Sequence, residues 1–147
     1  MSTGLVGTFE YKVDEKGRVP LPPRWRQELR GGFFLTVVAE KCITGYSEAE
    51  WGRVVADLGS DPMPDERTRR IKRQLMADAY QVEMDAQGRV VLLPVVREHA
   101  GITDSAVVVG AGNYFEIWNP EQWRAEKAIV REHVKEDIES LRAQRRQ

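Results

Sequence analysis

The sequence has almost no cysteine and no long apolar segment. Cys42 is its single cysteine, so no disulfide can form within the chain and no oxidising compartment is implied. The longest apolar run, from Val90 to Val96, is interrupted by Pro94 and is far shorter than the roughly 18 residues of a membrane-spanning helix. Residues 1–7 lack the basic and apolar regions of a signal peptide. We therefore expect a cytoplasmic protein that has no membrane partner.

The sequence also lacks a dominant charge of either sign. The formal net charge is −1 over 147 residues, of which 31% are charged and 41% hydrophobic, as in a folded globular domain. The basic residues are clustered, since residues 65–73 carry five Lys or Arg and two acidic residues, whereas residues 74–123 carry two and seven. Screening limits the reach of a charge to about 10 Å at 0.1 M salt, so DNA would respond to such local patches. Taken alone, these charge runs favour ordinary solvated surface.

Little in the sequence suits catalysis or metal binding. His99 and His133 both lie in helical patterns, without the spacing of a metal site or of a nucleophile and its base. Cys42 lies in an apolar, strand-like run that predicts a small buried residue, and no Gly-rich phosphate loop is present. We therefore expect neither an enzyme nor a binder of metals, cofactors or small-molecule substrates.

What the sequence does contain is an internal repeat. Residues 13–26 match residues 84–97 at an offset of 71, and after one inserted residue the match continues between residues 42–51 and 114–123. The identical pairs in the first match are Asp14/Asp85, Gly17/Gly88, Arg18/Arg89, Val19/Val90, Leu21/Leu92, Pro23/Pro94 and Arg26/Arg97. One copy alone is too small to bury a good core, so the two copies are predicted to complete one shared core about a pseudo-two-fold axis.

Each copy of the repeat, at about residues 11–51 and 82–123, shows the same order of predicted elements. Alternating Phe9, Tyr11 and Val13 indicate a half-buried strand that ends in a tight turn, and a second strand, a short helical segment and two more strands follow. The predicted strands after the first are 18–21, 33–38, 42–46, 80–84, 89–93, 106–110 and 114–118. The predicted helical segments are 24–30, 65–78, 96–100, 120–143 and a helix that follows Ser47.

Helix-start patterns follow both copies. Ser47 and Glu50 form a capping box, in which the hydroxyl and the carboxylate accept from each other's backbone amides, and Asn119 with Pro120 begins the last helix. The side chains predicted to face inward from the helix after Ser47 are Trp51, Val54, Val55 and Leu58. The tryptophans expected to anchor the core or an interface, rather than to stack on bases, are Trp25, Trp51, Trp118 and Trp123.

The last helix carries a narrow apolar stripe. Its members at helical spacing are Trp123, Val130, Val134, Ile138 and Leu141. Such a stripe is typical of packing on the body of the protein or on a neighbouring subunit. The tail after it, residues 142–147, is expected to be frayed.

Three features together resemble the MraZ family. They are the paired Asp-x-x-Gly-Arg turns that begin at Asp14 and Asp85, the Pro-x-x-Arg that follows each turn, and the segment 100–103 that leads to residues 115–118. The resemblance covers about residues 1–143. It implies an α+β fold with a mainly β core, in which two tandem AbrB-like units of the swapped-hairpin type form one pseudo-two-fold β-barrel with flanking helices. The predicted division is a first unit at 1–60, a linker helix at 61–79, a second unit at 80–123, and a C-terminal helix and tail at 120–147.

The resemblance also implies a function. Members of the MraZ family regulate the division and cell-wall gene cluster, usually as repressors that bind short G-rich direct repeats of double-stranded DNA upstream of their own operon. They form rings rather than simple dimers, and nucleoid association follows from this role. In the family the Asp-x-x-x-Arg motif lies on a loop facing DNA, and its arginine is the expected contact. The residues predicted here to bind DNA are Lys12, Asp14, Lys16, Gly17, Arg18, Asp85, Gly88 and Arg89.

The two turns are not expected to contribute equally. Glu83 and Gln87 occupy the second-copy positions of Lys12 and Lys16. Because phosphate contacts depend on positive charge, the first turn is predicted to make more of them.

Each of these features also has an interpretation that does not involve contact with DNA. An exposed Asp–Arg pair can simply stabilise a turn, with a contribution of about 0–1 kcal/mol. The arginines that could equally be helix-surface charges are Arg24, Arg26 and Arg97. The basic helix at 65–78 is expected to be solvated or to face a subunit rather than DNA. Alternative functions are an antitoxin-like module that binds a protein, or a ring scaffold without a role on DNA.

Overall fold

The computed structural model describes residues 4–38 and 40–146. Residues 1–3 of the predicted first unit and Gln147 of the predicted tail lie outside this range. The strands are β1 (Thr8–Lys12), β2 (Arg18–Pro20), β3 (Phe33–Val37), β4 (Ile43–Ser47), β5 (Tyr80–Val82), β6 (Arg89–Val91), β7 (Ser105–Gly110) and β8 (Phe115–Trp118). The helices are α1 (Glu48–Asp57), α2 (Glu66–Ala77), α3 (Pro94–Ala100) and α4 (Pro120–Arg145), and Pro23–Trp25 forms a 3-10 turn. The α+β class is confirmed.

Most strands form one antiparallel sheet in which the outer strands are exchanged between the two copies. The strand order is β1-β7-β8-β4-β3-β5. β1 of the first copy pairs with β7 of the second, with Tyr11 opposite Ala106, and β5 of the second pairs with β3 of the first, with Tyr80 opposite Leu35. Interchanging corresponding strands of the copies only reverses this order. The topology therefore has the pseudo-two-fold relation that the repeat predicts.

The remaining strands, β2 and β6, form a separate two-stranded ribbon. They run antiparallel with Val19 opposite Val90. The predicted β-barrel is therefore not closed, because the ladders of the described residues make one open six-stranded sheet and this ribbon. Each ribbon strand is only three residues long, and β2 ends at Pro20, which has no N–H to donate to a further strand. The ribbon consequently has no ladder to the edges of the large sheet.

The hydrophobic core is built jointly by both copies. Its main cluster of buried side chains includes Leu21, Leu35, Val90, Leu92 and Ile117. At its centre the ring of Phe115 lies between those of Trp25 and Phe33, with centroid separations of 5.5 and 5.9 Å. Phe115 is opposite Gly45 in the sheet, and a Cβ at position 45 would overlap the phenyl ring. Glycine at this position thus makes the space that the central aromatic ring occupies.

The first helix departs from its sequence prediction in two ways. Ser47 Oγ accepts a hydrogen bond from the backbone N–H of Glu50 at 3.2 Å, so the predicted cap is confirmed. The reciprocal half of the capping box is wrong, since the Glu50 carboxylate accepts from Arg53 at 2.7 Å, one turn further along. Val55 is 42% exposed rather than facing inward, because α1 rests on the sheet with no fully buried residue.

Among the described residues, the last helix contacts the body along its first turns. Asn119 accepts two backbone hydrogen bonds of the first turn of α4 and donates through Nδ2 to the carbonyl of Gly101 at 2.6 Å. Trp123 packs against Trp118 with ring centroids 5.8 Å apart. The predicted fraying is wrong for residues 142–145, since the helix continues to Arg145, and basic side chains in its last turn interact favourably with the helix dipole. Among the described residues, no helix is both long and apolar enough to span a bilayer.

Cys42 is a buried residue, as its strand-like surroundings predict. Its side chain is 1% exposed, and burial raises the pKa of the thiol to about 12. We expect thiol reagents to leave Cys42 unmodified in the folded protein and to modify it fully in denaturant, which mass spectrometry would measure. Rapid modification of the folded chain at neutral pH would contradict this placement.

Candidate nucleic-acid interface

The first candidate site is the turn between β1 and β2, which is organised around Asp14. Oδ1 of Asp14 accepts hydrogen bonds from the backbone N–H groups of Lys16 and Arg18, both at 2.9 Å. Oδ2 accepts from Nε of Arg18 at 2.6 Å. Gly17 takes a positive φ of 77°, which a side chain would disfavour, and its N–H closes the turn onto the carbonyl of Asp14 at 3.0 Å. One carboxylate thus fixes both the turn and the direction of the arginine.

The second turn, between β5 and β6, repeats this arrangement atom for atom. Oδ1 of Asp85 accepts from the backbone N–H groups of Gln87 and Arg89 at 2.9 Å. Oδ2 accepts from Nε of Arg89 at 2.9 Å, and Gly88 has a φ of 75°. The equivalence that the sequence repeat indicates therefore extends to side-chain geometry.

Both arginines lie on the same outer face of the β2–β6 ribbon. Arg18 is opposite Val91, and Arg89 is opposite Pro20, so the two arginines lie two positions apart along the ribbon. Val19, which lies between the two arginines along the ribbon, points to the opposite face, toward the core, and is fully buried. The side chains of Arg18 and Arg89 are 30% and 28% exposed. The ribbon thus holds two guanidinium groups together at the surface.

The two turns also touch each other, and they do so asymmetrically. Nη1 of Arg89 lies 3.8 Å from Oδ2 of Asp14, the carboxylate oxygen that already accepts from Arg18. Asp14 therefore serves both arginines. In the described part of the chain, the Nη atoms of Arg18 make no hydrogen bond, and the side chain is 30% exposed, so these donors lack a protein acceptor.

A second pair of arginines supports the turns from behind, each crossing to the other copy. Arg97 of the second copy packs on Gly17, where an added Cβ would lie 3.2 Å from its Nη1. Arg26 of the first copy packs on Gly88, where an added Cβ would overlap its guanidinium. Arg26 also donates to the carbonyl of Leu21 at 3.2 and 3.3 Å. Glycine in each turn suits its positive φ and also allows the arginine of the other copy to approach closely.

The charge around the two turns differs as the sequence predicts. Residues 12–18 carry three basic and two acidic side chains, whereas residues 83–89 carry one and two. Lys12 and Lys16 are both exposed beside the first turn. The first turn is therefore the more electropositive of the two.

Comparison with known proteins agrees with this double arrangement. The family model described as "MraZ protein, putative antitoxin-like" matches residues 5–74 and again residues 75–145. The chain belongs to the MraZ family.

Several relatives that carry the name Transcriptional regulator MraZ are similar along most of their length. The protein of Dehalococcoides mccartyi is 42% identical over 136 residues, which is 92% of this chain and 96% of the relative. The protein of Thermomicrobium roseum is 37% identical over 126 residues, 86% of this chain and 89% of its own. The protein of Lactobacillus delbrueckii is 33% identical over 137 residues, 93% of this chain and 96% of its own.

In this MraZ chain, hydrogen bonds keep both turn carboxylates ionised. The backbone N–H of Arg18 is the main cause that lowers the pKa of Asp14, and the backbone N–H of Arg89 does the same for Asp85. Because the pKa of each carboxyl is lowered in the folded protein, these bonds stabilise the turns at pH values above the ordinary aspartate pKa of about 3.9. That contribution disappears as the pH falls through the folded values.

We expect the two turn carboxylates to titrate below the ordinary aspartate range. Carbon-detected NMR of the side-chain carboxyl resonances should show Asp14 and Asp85 still ionised near pH 4. It follows that these groups impose no pH dependence on DNA binding near neutrality. Titration of either carboxyl at or above about pH 4 would contradict the hydrogen-bonded geometry.

Other basic residues have local roles in the MraZ fold. Arg97 donates to the carbonyls of Ile102 and Thr103 at 3.0 and 2.7 Å, inside the Ala-Gly-Ile-Thr segment. In α2, Arg69 donates to the carbonyl of Pro64 at 3.0 Å, and Arg70 pairs with a glutamate one turn earlier at 3.2 Å. Several of the basic side chains of this helix are thus engaged locally.

The sequence leaves Arg26 and Arg97 open between helix surface and DNA contact. The structure places both behind the turns, where they bond backbone carbonyls, and Arg24 is exposed beside them. The sequence offers one signal for their shared role: Arg26 and Arg97 are identical residues at the offset of 71 that relates the two copies. Among the described residues, no group of three or more metal-ligating side chains comes together.

Proposed function

We propose that this chain is a DNA-binding transcriptional regulator that reads DNA with its two Asp–Arg turns. The observation that carries the proposal is the paired, outward-facing arrangement of Arg18 and Arg89 on one ribbon. The names of the relatives, transcriptional regulators of the MraZ family, support the same function. Lys12, Lys16, Asp14, Asp85, Gly17 and Gly88 complete the proposed DNA-binding set.

The chemistry of the turn suits a duplex. A guanidinium offers a planar fork of donors that matches phosphate oxygens or the O6 and N7 acceptors of guanine. In each turn the aspartate accepts from Nε, which fixes the direction of the arginine. The terminal nitrogens of Arg18 then remain for DNA, whereas Nη1 of Arg89 also lies near Asp14. Gly17 and Gly88 are buried against Arg97 and Arg26, so they contribute by shaping the turns that hold the arginines.

The first turn is proposed to carry more of the binding than the second. Its two lysines add positive charge, and Arg18 is held by the carboxylate of its own turn alone. Arg89 is drawn toward Asp14 as well as toward Asp85, which leaves it less free for DNA. Phosphate contacts should therefore concentrate at Lys12, Lys16 and Arg18.

Binding by one chain would be weak, and we propose that assembly supplies the affinity. Two turns contact only a few phosphates, and each neutralised phosphate contributes a slope of about −0.9 in log K against log salt. A ring of copies presents many turns at once, and direct repeats at matching spacing convert weak contacts into avidity. The proposed target is short G-rich direct repeats upstream of the chain's own operon and of the division and cell-wall cluster, with repression as the outcome.

This function places the protein in the cytoplasm, associated with the nucleoid and without catalytic activity. The functional units would be residues 1–60 and 80–123, joined by a linker helix at 61–79 and followed by the C-terminal helix. The main rival is a protein-binding module of the same fold, either antitoxin-like or a scaffold. The exposed apolar face of α4 favours a protein contact in addition to DNA.

A mobility-shift assay combined with native mass spectrometry tests this proposal. The upstream region of the chain's own operon should be retained at physiological salt, a scrambled probe of equal composition should not, and the free protein should be larger than a dimer. Equal retention of both probes would remove the claim of sequence specificity. A stable monomer that still binds tightly would remove the claim of avidity.

A further inference from the structure

The C-terminal helix α4 extends far beyond the contacts that attach it. Among the described residues, its contacts with the body lie near its start, through the Asn119 cap, through Trp123, and at a shallow pocket that Ala125, Glu126 and Ile129 line together with residues 40 and 41. Residues 124–145 continue as helix, which corresponds to about 33 Å at 1.5 Å per residue. No side chain of α4 is buried in the described chain. In proteins most of the stability of a helix comes from packing of an amphipathic face, so this part of α4 is expected to pack on another surface.

The free part of α4 carries apolar side chains on one side. Val130, Val134, Ile138 and Leu141 are 44–48% exposed, although aliphatic side chains of this size are usually buried. Their spacings of four, four and three residues keep them on one face of the helix. This apolar stripe runs from Val130 to near the end of the helix, with the charged residues Glu126 and Lys127 between it and Trp123, and contiguous exposed apolar surface marks an interaction site.

The charges beside the apolar stripe follow an eleven-residue repeat. Residues 126–131 read Glu-Lys-Ala-Ile-Val-Arg, and residues 137–142 read Asp-Ile-Glu-Ser-Leu-Arg. At this spacing Glu126 corresponds to Asp137, Val130 to Leu141, and Arg131 to Arg142. Because eleven residues make about three full turns, the acidic residues lie along one edge of the stripe and the arginines along the other.

The charges along both edges have no ion-pair partner among the residues that the structure describes. In the described residues, Glu126, Arg131, Asp137 and Arg142 make no side-chain ion pair. Asp137 and Arg142 are both solvent-exposed. An acidic edge and a basic edge that flank one apolar stripe form a surface that can complement a second copy of itself.

We propose that two copies of this chain pair through α4, with the helices parallel and in register. In a parallel pair, the acidic edge of one helix faces the basic edge of the other, so Asp137 would meet Arg142 of the second copy five residues on. Glu126 and Arg131 would meet in the same way nearer the body. An antiparallel pair would instead place arginine edge against arginine edge and carboxylate edge against carboxylate edge, which is unfavourable.

This pairing adds a two-fold contact to the assembly. The pairing rests on the self-association proposed above and assigns α4 as one of the surfaces through which copies associate. It involves none of the residues that are proposed to bind DNA. Because a two-fold contact uses the same patch on both copies, each change in α4 acts twice in the interface. DNA retention and helix pairing can therefore be measured, and can fail, separately.

Cysteine crosslinking tests the orientation of the pair. In a parallel, in-register pair, identical stripe positions face each other, so Leu141→Cys should form a disulfide-linked dimer under mild oxidation. An antiparallel pair centred on Val134 would bring position 141 opposite position 127, and only a mixture of Lys127→Cys and Leu141→Cys chains would then crosslink. Glu132→Cys, on the opposite face of α4, is the matched control. The buried Cys42 does not interfere.

A charge exchange tests the edges independently. Asp137→Arg and Arg142→Asp should each reduce crosslinking through Leu141→Cys by about fivefold or more, and the double exchange should restore it. Both positions lie far from the core, so folding is unaffected and circular dichroism checks it. Equal crosslinking of Leu141→Cys and Glu132→Cys chains, crosslinking only in the mixture, or failure of the double exchange to restore the dimer would overturn the proposal. Loss of DNA retention with intact crosslinking would overturn the DNA function and leave this inference standing.

Discussion

Replacing both Arg18 and Arg89 with alanine is expected to weaken specific binding to upstream DNA by about 100-fold or more at physiological salt. The geometry gives two reasons. Each replacement removes a fork of donors that the turn aspartate holds in a fixed direction. The effect is also multiplied over every turn of the assembly, because avidity depends on the affinity of each single turn for DNA.

The single replacements should differ in size. Arg18→Ala should weaken binding more than Arg89→Ala, because the first turn carries Lys12 and Lys16 and because Arg89 is also drawn toward Asp14. The slope of log K against log salt concentration should become shallower by about 0.9 for every phosphate that the variant protein no longer neutralises. Quantitative mobility shifts over a range of salt concentrations measure both quantities.

Arg53→Ala is the matched control for these variants. Arg53 also pairs with a carboxylate, Glu50, at 2.7 Å, but it lies on α1 and is 76% exposed. Its removal should leave DNA binding unchanged. Equal losses for Arg18→Ala and Arg89→Ala would contradict the ranking of the turns, and unchanged binding by the double variant would contradict the interface itself.

Phe115→Ala is expected to cause the largest loss of stability, about 3–5 kcal/mol in the free energy of unfolding. The phenyl ring is fully buried between Trp25 and Phe33 and covers Gly45 on the neighbouring strand. The resulting cavity would lie between Phe33, on a strand that pairs with β5 of the second copy, and the buried Trp25, in the 3-10 turn, so neighbouring groups have little freedom to fill it. The replacement would lower the stability of the whole protein rather than that of one copy of the repeat.

Urea unfolding followed by fluorescence and circular dichroism measures this loss. Phe34→Ala is the control of the same chemistry, because Phe34 is only half-buried and stacks on Trp51 outside the core cluster, with centroids 5.0 Å apart. Phe34→Ala should lower the free energy of unfolding distinctly less than Phe115→Ala does. A loss for Phe115→Ala no greater than that for Phe34→Ala, or separate unfolding of the two copies, would contradict a shared core.

The repeat makes much of the architecture predictable from sequence. The correspondence of Asp14 with Asp85, and of Gly17 with Gly88, identifies two equivalent turns, and the apolar alternation indicates the strands on either side of them. Local chemistry determines these features: an aspartate can bond nearby backbone amides, and glycine tolerates positive φ. Their geometry in the structure agrees in detail.

Features that depend on distant partners are not predictable in the same way. Alternation along β1 indicates which side of the strand is buried but not that β1 pairs with β7 of the other copy. The arginines of the Pro-x-x-Arg segments resemble surface charges in the sequence, whereas the fold places Arg26 behind Gly88 and Arg97 behind Gly17. Closure of the barrel is expected from the resemblance, but the three-residue strands β2 and β6 pair only with each other. Glu50 likewise bonds Arg53 because that side chain competes with the backbone.

Photocrosslinking to upstream DNA tests the central claim most directly. A photoreactive amino acid would be placed at Lys16 in the first turn, at Gln87 in the second turn, or at the exposed Arg67 on α2, all of them outside the core. If the ribbon face with its two turns meets the duplex, positions 16 and 87 crosslink to the repeat-containing probe, position 16 more strongly, and position 67 does not. Crosslinks from position 67 alone would show that DNA lies on another face and would contradict the proposal.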